Sequence, residues 1–257
     1  MQAKARLKTK VEIPAIVAKT LMTNRPVPKL ILQQDSSARR ILAMIVVDLE
    51  TTGLEPSENS IASIGAVDFT SPSRVYYREC RIPNDSKISQ EALEITGFTI
   101  QSLRDEKKPS VETIVRDFVD WSNSSKVRVL AGENPWLDAN FLRMSSKRYE
   151  INWPFGHRLV DLHSISYAHH LQFGLPIPSD NKENGLGLDQ TLQYLGLTRR
   201  NSHHNALNDA KLEAEAFCRL IYGKSLLKEY EQFRIPEPVA RRVIGSNPKL
   251  TLLRALF

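Results

Sequence analysis

The sequence predicts an α/β fold in which helices flank a mixed five-stranded sheet whose first three strands are antiparallel. Three observations predict this class. A run of β-forming residues at 43–47 indicates a buried central strand, two strand-like segments follow it directly, and strands and helices then alternate. Strands in series pair antiparallel, whereas strands separated by helices pair parallel, so we expect a mixed sheet.

The first three strands are predicted at about 43–49, 61–69 and 75–82. A turn at 71–73, which contains Ser and Pro, separates the second strand from the third. Turn residues between two β-forming segments indicate an antiparallel pair.

Helices and strands alternate through the rest of the folded region. The helix at 110–121 has Ser110 as its N-cap and an apolar stripe along one face, and the last helix, at 205–222, has an Ala-rich stripe. Residues 174–187 are rich in Pro, Gly and Asn and are expected to form a loop. The other predicted elements are helices at 89–95, 135–147, 162–171 (capped by Asp161) and 188–195, and strands at 127–131 and 158–160.

The 257 residues divide into a basic N-terminal arm at 1–42, expected to be partly disordered, a folded domain at 43–222, and a basic and apolar extension at 223–257. Residues 1–40 hold nine basic and two acidic residues and residues 222–257 hold seven and three, whereas the middle holds 19 and 24. An acidic core with cationic arms suits a metal-dependent enzyme that acts on a polyanion. Arms that only aid solubility are the alternative.

Other features bound the class of protein. The sequence contains no stretch of about 20 apolar residues, the length that spans a membrane, and it does not begin with a secretion signal. Cys80 and Cys218 lack the spacing of metal ligands and are expected to be reduced thiols without a chemical role. We therefore expect a cytoplasmic protein that makes no membrane contact.

Two acidic residues stand where a buried strand ends. Asp48 and Glu50 follow the run at 43–47, and side chains two positions apart on a strand share a face. Two carboxylates held together in this way repel each other and resist ionisation. A divalent cation would compensate their charge.

Three motifs in order carry a resemblance to a known family. They are the segments Asp48-Leu-Glu-Thr-Thr-Gly-Leu54, Asn134-Pro-Trp-Leu-Asp138 and His204-Asn-Ala-Leu-Asn-Asp209-Ala. In this order the chain resembles, over roughly 43–221, the DEDD 3′–5′ exonucleases of the His subtype. Proofreading subunits of bacterial replicative polymerases, RNase T and oligoribonuclease belong to that family.

The resemblance implies an RNase H-like fold and the hydrolysis of single-stranded DNA or RNA from its 3′ end, with release of nucleoside 5′-monophosphates. It also implies two divalent cations, Mg²⁺ with Mn²⁺ as a substitute, because hard cations prefer carboxylate oxygens. By similarity, Asp48 would bridge both ions, Glu50 and Asp209 would complete the first site, and Asp138 would hold the second ion through water.

The resemblance further implies that His204 is the catalytic base, and imidazole suits this role because it titrates near neutral pH. His204 is expected just before the last helix, since five residues of helix turn through about 500° and would otherwise separate it from Asp209. His203 is expected to be an exposed loop residue, and His157, His163, His169 and His170 are expected at the surface or at an interface.

Six further residues are candidates for contacts with the substrate. Thr51 and Thr52 are either turn residues only or, by similarity, contacts for the terminal nucleotide. By similarity, Leu54 would pack against the base of that nucleotide, and Asn134 would orient Asp138 or the substrate backbone. Phe98 and Trp136 are candidate stacking platforms, although a place in the core is the favoured alternative for both.

Two alternatives to this function stay open, and the role of the C-terminal tail is open as well. A catalytically silent nucleic-acid-binding or scaffold protein would have the same fold, and an endonuclease would have the same acids. The apolar tail at 243–257 is expected to dock on the domain or to form a homodimer, with a protein partner as the third possibility.

Overall fold

A computed structural model describes residues 43–180, 183–198 and 203–242, with the backbone alone at 179–180 and 183–184. The strands are β1 Ile45–Thr51, β2 Ile61–Asp68, β3 Val75–Glu79, β4 Leu130–Gly132, β5 Leu159–Asp161, β6 Ser179–Asp180 and β7 Glu183–Asn184. The helices are α1 Gln90–Thr96, α2 Ile100–Leu103, α3 Val111–Ser122, α4 Trp136–Arg148, α5 Leu162–Phe173, α6 Leu188–Tyr194, α7 Ala206–Tyr222 and α8 Glu237–Arg241, with a 3₁₀ turn at Lys228–Tyr230.

The main sheet has the strand order β3-β2-β1-β4-β5. The first three strands pair antiparallel, and β4 joins β1, and β5 joins β4, in parallel. The predicted mixed five-stranded sheet is therefore confirmed. β1 lies at its centre, and the carboxyl ends of β1, β4 and β5 meet at one edge.

β1 separates two apolar layers. Ile45 and Leu49 lie in a layer with α3 and α4, whereas Val46 lies in the other layer with α7. Because successive side chains of a strand alternate between faces, Asp48 and Glu50 continue the row of Val46 and face α7.

A glycine determines how closely α7 approaches the sheet. A Cβ atom on Gly65 of β2 would lie 2.1 Å from the carbonyl carbon of Ala206 and 2.2 Å from the nitrogen of Leu207. Gly65 is also the register partner of Asp48 on β1. The first turn of α7 therefore lies directly on the sheet, beside the acidic end of β1.

A buried ion pair fastens the chain that follows α7. Arg219 and Glu215 are fully buried, with 2.7 Å between Nε and Oε1. The second carboxylate oxygen of Glu215 accepts the backbone N–H groups of Leu226 and Leu227. The guanidinium of Arg219 also donates to the backbone carbonyl groups of Leu195, Tyr230 and Phe233.

Apolar side chains also hold the segment after α7 against the domain. Leu226, Tyr230, Phe233, Ile235 and Val239 pack against the layer formed by α7. The described part of the predicted extension, 223–242, thus packs on the domain. The apolar tail at 243–257 and the N-terminal arm at 1–42 lie outside the described residues.

Each predicted helix and strand lies within a few residues of its observed position, and Ser110 and Asp161 cap α3 and α5 as expected, whereas the short helices α2 and α8 were not predicted. The predicted loop at 174–187 differs, because it contains the β6–β7 hairpin. Cys80 and Cys218 are buried free thiols, and burial raises the pKa of each to about 12. Among the residues that the structure describes, we find no helix with the length and hydropathy of a membrane span.

Two histidines are buried rather than at the surface as expected. His169 is 0% exposed and His170 is 5% exposed, and each has a polar partner, Tyr194 Oη at 3.0 Å from His169 Nε2 and the Ser166 carbonyl at 2.9 Å from His170 Nδ1. Burial lowers the pKa of His169 to about 4, so the ring stays neutral and is compatible with the interior.

Gly65→Ala is expected to lower the free energy of unfolding by about 3 kcal/mol or more, because the new methyl group meets backbone that cannot move independently. Gly156→Ala is the matched control, since a Cβ atom there meets nothing within 4 Å. Urea unfolding monitored by circular dichroism measures both variants. A Gly65→Ala midpoint equal to that of the control would contradict this account of the close approach.

Candidate active site

Asp48 and Glu50 lie at the carboxyl end of β1. Glu50 is 5% exposed, and the pairing of β1 with β2 shifts register between Glu50 and Thr51. Asp48 is half-buried. The strand thus ends in an irregularity immediately after the two acids, which both point towards α7.

Asp138 comes from the first turn of α4. The Oδ1 atom of Asp138 accepts the backbone N–H of Leu49 at 3.0 Å. This N–H has no strand partner because β4 ends at Gly132, whereas β1 continues beyond the point that pairs with it. The side chain of Asp138 therefore takes the place of the missing strand, and this places it beside Asp48.

His204 and Asp209 come from the start of α7. The side chain of Asn205 caps the helix by accepting the N–H of Asn208, so His204 precedes the helix as predicted. The backbone N–H of His204 donates to the carbonyl of Ile95, at the end of α1. The Nδ1 atom of His204 lies 3.7 Å from Oδ2 of Asp209.

The residues that the motifs predict converge from three elements. One potential ligand atom from each of Glu50, His204 and Asp209 lies within 4.8 Å of the others. Burial raises the pKa of Asp48 well above its usual range, and the charges of Glu213, Asp138, Glu50 and Asp209 raise it further. Burial likewise raises the pKa of Asp138, to about 7.

Glu213 is an acidic residue of this cluster that the motifs did not predict. It is 1% exposed on α7, one turn after Asp209, and its charge has the largest effect of the neighbouring acids on the pKa of Asp48. A signal for it exists in the sequence, since positions i and i+4 of a helix share a face. Asp209 and Glu213 therefore point to the same side of α7.

The cluster fits divalent cations. Its donors are carboxylate oxygens with one imidazole, the set that hard cations accept. The acids are buried or half-buried and repel one another, which favours protonation or the uptake of positive charge. Oε2 of Glu213 has no hydrogen-bond partner within the described part of the chain. A cation or its water would satisfy such an atom.

The candidate substrate-binding residues fall into two groups. Leu54 is 75% exposed and Trp136 is 63% exposed. The sequence favoured a place in the core for Trp136, and the structure contradicts this. Thr52 is 2% exposed, and its hydroxyl donates to the Lys87 carbonyl at 2.7 Å and accepts the N–H of Ser60 at 2.9 Å. The side chain of Thr52 therefore holds the loop after β1 instead of facing a substrate.

The remaining candidates for substrate contacts are Thr51, Phe98 and Asn134. Thr51 donates its hydroxyl to the Gly53 carbonyl at 2.7 Å and is half-buried. Phe98 packs partly against a small apolar cluster, with Lys108 Nζ 5.2 Å from its ring centroid. Asn134 is exposed and has a φ of 50°, a left-handed conformation that Asn tolerates better than most residues.

His203 is exposed as expected, and its ring lies close to Gly97. A Cβ atom on Gly97 would lie 2.7 Å from Cγ of the His203 ring, and Gly97 has a φ of 72°. Glycine at this position therefore lets the loop before α7 lie against the end of α1.

Comparison with known proteins identifies relatives of this chain. The family profile RNase_T, described as Exonuclease, matches residues 45–217. A PolC-type DNA polymerase III of Thermotoga petrophila is 30% identical over 209 residues, which cover 79% of this chain and 14% of the polymerase. The 3′-5′ DNA exonuclease Cap18 of Escherichia coli is 28% identical over 194 residues, 73% of this chain and 96% of Cap18. The chain thus spans about a seventh of the polymerase.

Solved structures share the fold at lower identity. The nuclease domain of 3′hExo, a DEDDh family member bound to rAMP, has a TM-score of 0.54 and 18% identity and covers 78% of this chain and 99% of that domain. Exonuclease I of E. coli in complex with a dT13 oligonucleotide has a TM-score of 0.57 and 18% identity and covers 69% of this chain and 41% of the enzyme.

The metal-free protein is expected to lose stability as the pH rises from about 4 to about 7, because of Asp138. In this range the folded chain retains a proton on Asp138, whose pKa is about 7, while the unfolded chain, with a pKa of about 3.9, has released it. The folded chain therefore binds more protons than the unfolded chain in this range. Because a rise in pH removes protons, it disfavours the folded state, and the free energy of unfolding falls.

Thermal unfolding in EDTA between pH 5 and pH 8 tests this, with Asp138→Asn as the comparison. The variant is expected to show a weaker decline and to melt above the wild type at pH 8. Parallel pH profiles for the two proteins would contradict the expected role of Asp138.

Proposed function

The chain belongs to the RNase_T exonuclease family, and on that premise we propose that its described domain is a 3′–5′ exonuclease of the DEDDh type, which shortens single-stranded nucleic acid from its 3′ end and releases nucleoside 5′-monophosphates. The convergence of Asp48, Glu50, Asp138 and Asp209 at the end of β1, beside His204, is the observation that carries the proposal. These side chains are supplied by β1, α4 and the start of α7.

We propose that the four acids hold two divalent cations, Mg²⁺ or Mn²⁺. When bound, such ions activate the attacking water and stabilise the negative charge on the leaving 3′-oxygen. Glu50 and Asp209 offer ligand atoms within 4.8 Å of each other, and Asp138 is held at the neighbouring residue Leu49. Asp48 would contribute to both ion sites, Glu50 and Asp209 to the first and Asp138 to the second. The donor set supports this assignment because all four groups offer oxygen ligands.

His204 is the proposed base. Its side chain is 38% exposed beside Asp209, so it is open to solvent and would face the phosphate of a bound substrate. Asp209 at 3.7 Å favours the imidazolium that forms when the ring takes a proton. The bond from the backbone N–H of His204 to Ile95 fixes the loop, so the ring moves by rotation of its own side chain.

Exposed apolar side chains near the acids suit the terminal bases. Leu54 follows β1 and Trp136 begins α4, so both lie on segments that also carry metal-binding candidates. Aromatic and apolar side chains bind bases with little regard to sequence, as an exonuclease requires. We propose that these two side chains contact the last nucleotides, together with Thr51, Phe98 and Asn134.

DNA is the favoured substrate class, because Cap18 is named a DNA exonuclease and 96% of the length of Cap18 matches this chain. The dT13 complex of exonuclease I is consistent with a single-stranded end, and the rAMP complex of 3′hExo is consistent with a monophosphate product. A homodimer or protein partner bound through the tail at 243–257 is a further part of the proposal.

Asp48→Ala and Asp209→Asn are each expected to abolish hydrolysis while leaving the fold intact. Each removes a proposed metal ligand, and each also relieves repulsion among buried acids. A strand labelled at its 5′ end, incubated with Mg²⁺, measures activity, and circular dichroism measures folding. The wild type should give a ladder that shortens from the 3′ end. Internal cuts, or hydrolysis that persists in either variant, would contradict the proposal.

His204→Ala is expected to lower turnover by about 100-fold or more, the usual contribution of a general base, with little change in Mn²⁺ affinity. Single-turnover kinetics and calorimetric titration with Mn²⁺ separate the two effects. His203→Ala is the matched control, since it changes the neighbouring imidazole. If His204→Ala weakens Mn²⁺ binding as much as Asp209→Asn does, His204 is a ligand and not the base.

A further inference from the structure

Glu213 differs from the other acids of α7 in its surroundings. It is 1% exposed and sits over the end of β4, where a Cβ atom on Gly132 would lie 3.2 Å from its Oε2. Its carboxylate accepts the backbone N–H of Glu133, which lowers the pKa of Glu213. The absence of a side chain at Gly132 thus leaves room for this carboxylate at the carboxyl edge of the sheet.

The charges around Glu213 are acidic. Burial raises the pKa of Glu213 well above its usual range, and the charges of Asp138, Asp209 and Glu133 raise it further. Glu213 in turn has a larger effect on the pKa of Asp48 than any of the other acids. Glu213 therefore lies among the acids of the site, near Asp48 and Asp138.

Glu215 provides a comparison on the same helix. Both oxygens of this buried carboxylate have partners, Arg219 on one side and the N–H groups of Leu226 and Leu227 on the other. Oε2 of Glu213 has no hydrogen-bond partner among the described residues, although the side chain is equally buried. A buried carboxylate oxygen without a partner is costly, and a glutamate with a purely structural role would resemble Glu215.

We propose that Glu213 is a fifth carboxylate of the ion site and directs its Oε2 atom towards a divalent cation held on the side of Asp48 and Asp138. This inference rests on the metal dependence proposed above. Glu50, His204 and Asp209 form a separate group, whose potential ligand atoms lie within 4.8 Å of one another. Glu213 would therefore strengthen the position to which the motifs assign only Asp48 and Asp138.

An additional carboxylate has two opposite effects. Without metal it adds repulsion to a crowded acidic cluster and makes the folded state less stable. With metal it adds an oxygen donor where the ion would otherwise rely on water. The protein should therefore gain more stability from Mn²⁺ than a variant without this charge, by linkage of binding to folding.

Glu213→Gln tests the inference, because the amide keeps the volume and can still accept the N–H of Glu133. Calorimetric titration with Mn²⁺ is expected to show two ions in the wild type, and in the variant one of them should bind about 10-fold more weakly or worse. The variant should melt at the same temperature as the wild type or higher in EDTA. Its melting temperature should rise less when Mn²⁺ is added.

Glu215→Gln is the matched control, an equal change at a buried glutamate two residues away. It disrupts the ion pair with Arg219 and should lower the melting temperature in EDTA while both Mn²⁺ affinities stay unchanged. If Glu213→Gln behaves like this control, Glu213 is a structural residue and the inference is overturned, although the metal-dependent function stands. If the wild type binds no Mn²⁺, the proposed function fails and the inference with it.

Discussion

The close approach of α7 to the sheet at Gly65 is the constraint on which the rest of the site depends. Because β2 has no side chain at this position, the backbone of Ala206 lies against the strand beside Asp48. One helix then delivers Asp209 and Glu213 to the acids of β1, and the loop before it delivers His204. The end of β1, the start of α7 and Gly65, which are far apart in the sequence, thus come together at the acidic site.

The site works against the stability of the fold. Asp48, Asp138 and Glu213 all have raised pKa values, which means that the folded chain alone holds their negative charge poorly. The apolar layers on both faces of β1 supply the rigidity that keeps these groups together despite their repulsion. An arrangement that is unfavourable in isolation is well suited to bind cations, because the carboxylates are already assembled before an ion arrives.

The sequence predicted the parts of this protein that follow from periodicity and local signals. The mixed five-stranded sheet and its antiparallel start could be predicted, because strand alternation and helix caps are local signals, and the segments that carry the four acids and His204 could be located from the ordered motifs of a known family. Glu213 was missed although it lies one turn after Asp209 and so on the same face of α7, because spacing does not show that this side chain is buried over the end of β4. Trp136 was expected inside and is exposed, whereas Thr52 was expected to face a substrate and is enclosed by its own loop. Hydrophobicity alone does not distinguish a core residue from one that is kept exposed at a site.

The bonds of Arg219 have a consequence for where the domain can be cut. Its guanidinium donates hydrogen bonds to a carbonyl group that precedes α7 and to two carbonyl groups in the segment that follows α7. Glu215 accepts two backbone N–H groups at the start of this following segment. A protein shortened to Tyr222, the last residue of α7, would bury an arginine and a glutamate that had lost most of their backbone partners, beneath an uncovered apolar surface. The smallest self-sufficient unit therefore extends past Val239, about 30 residues beyond the last of the three sequence motifs.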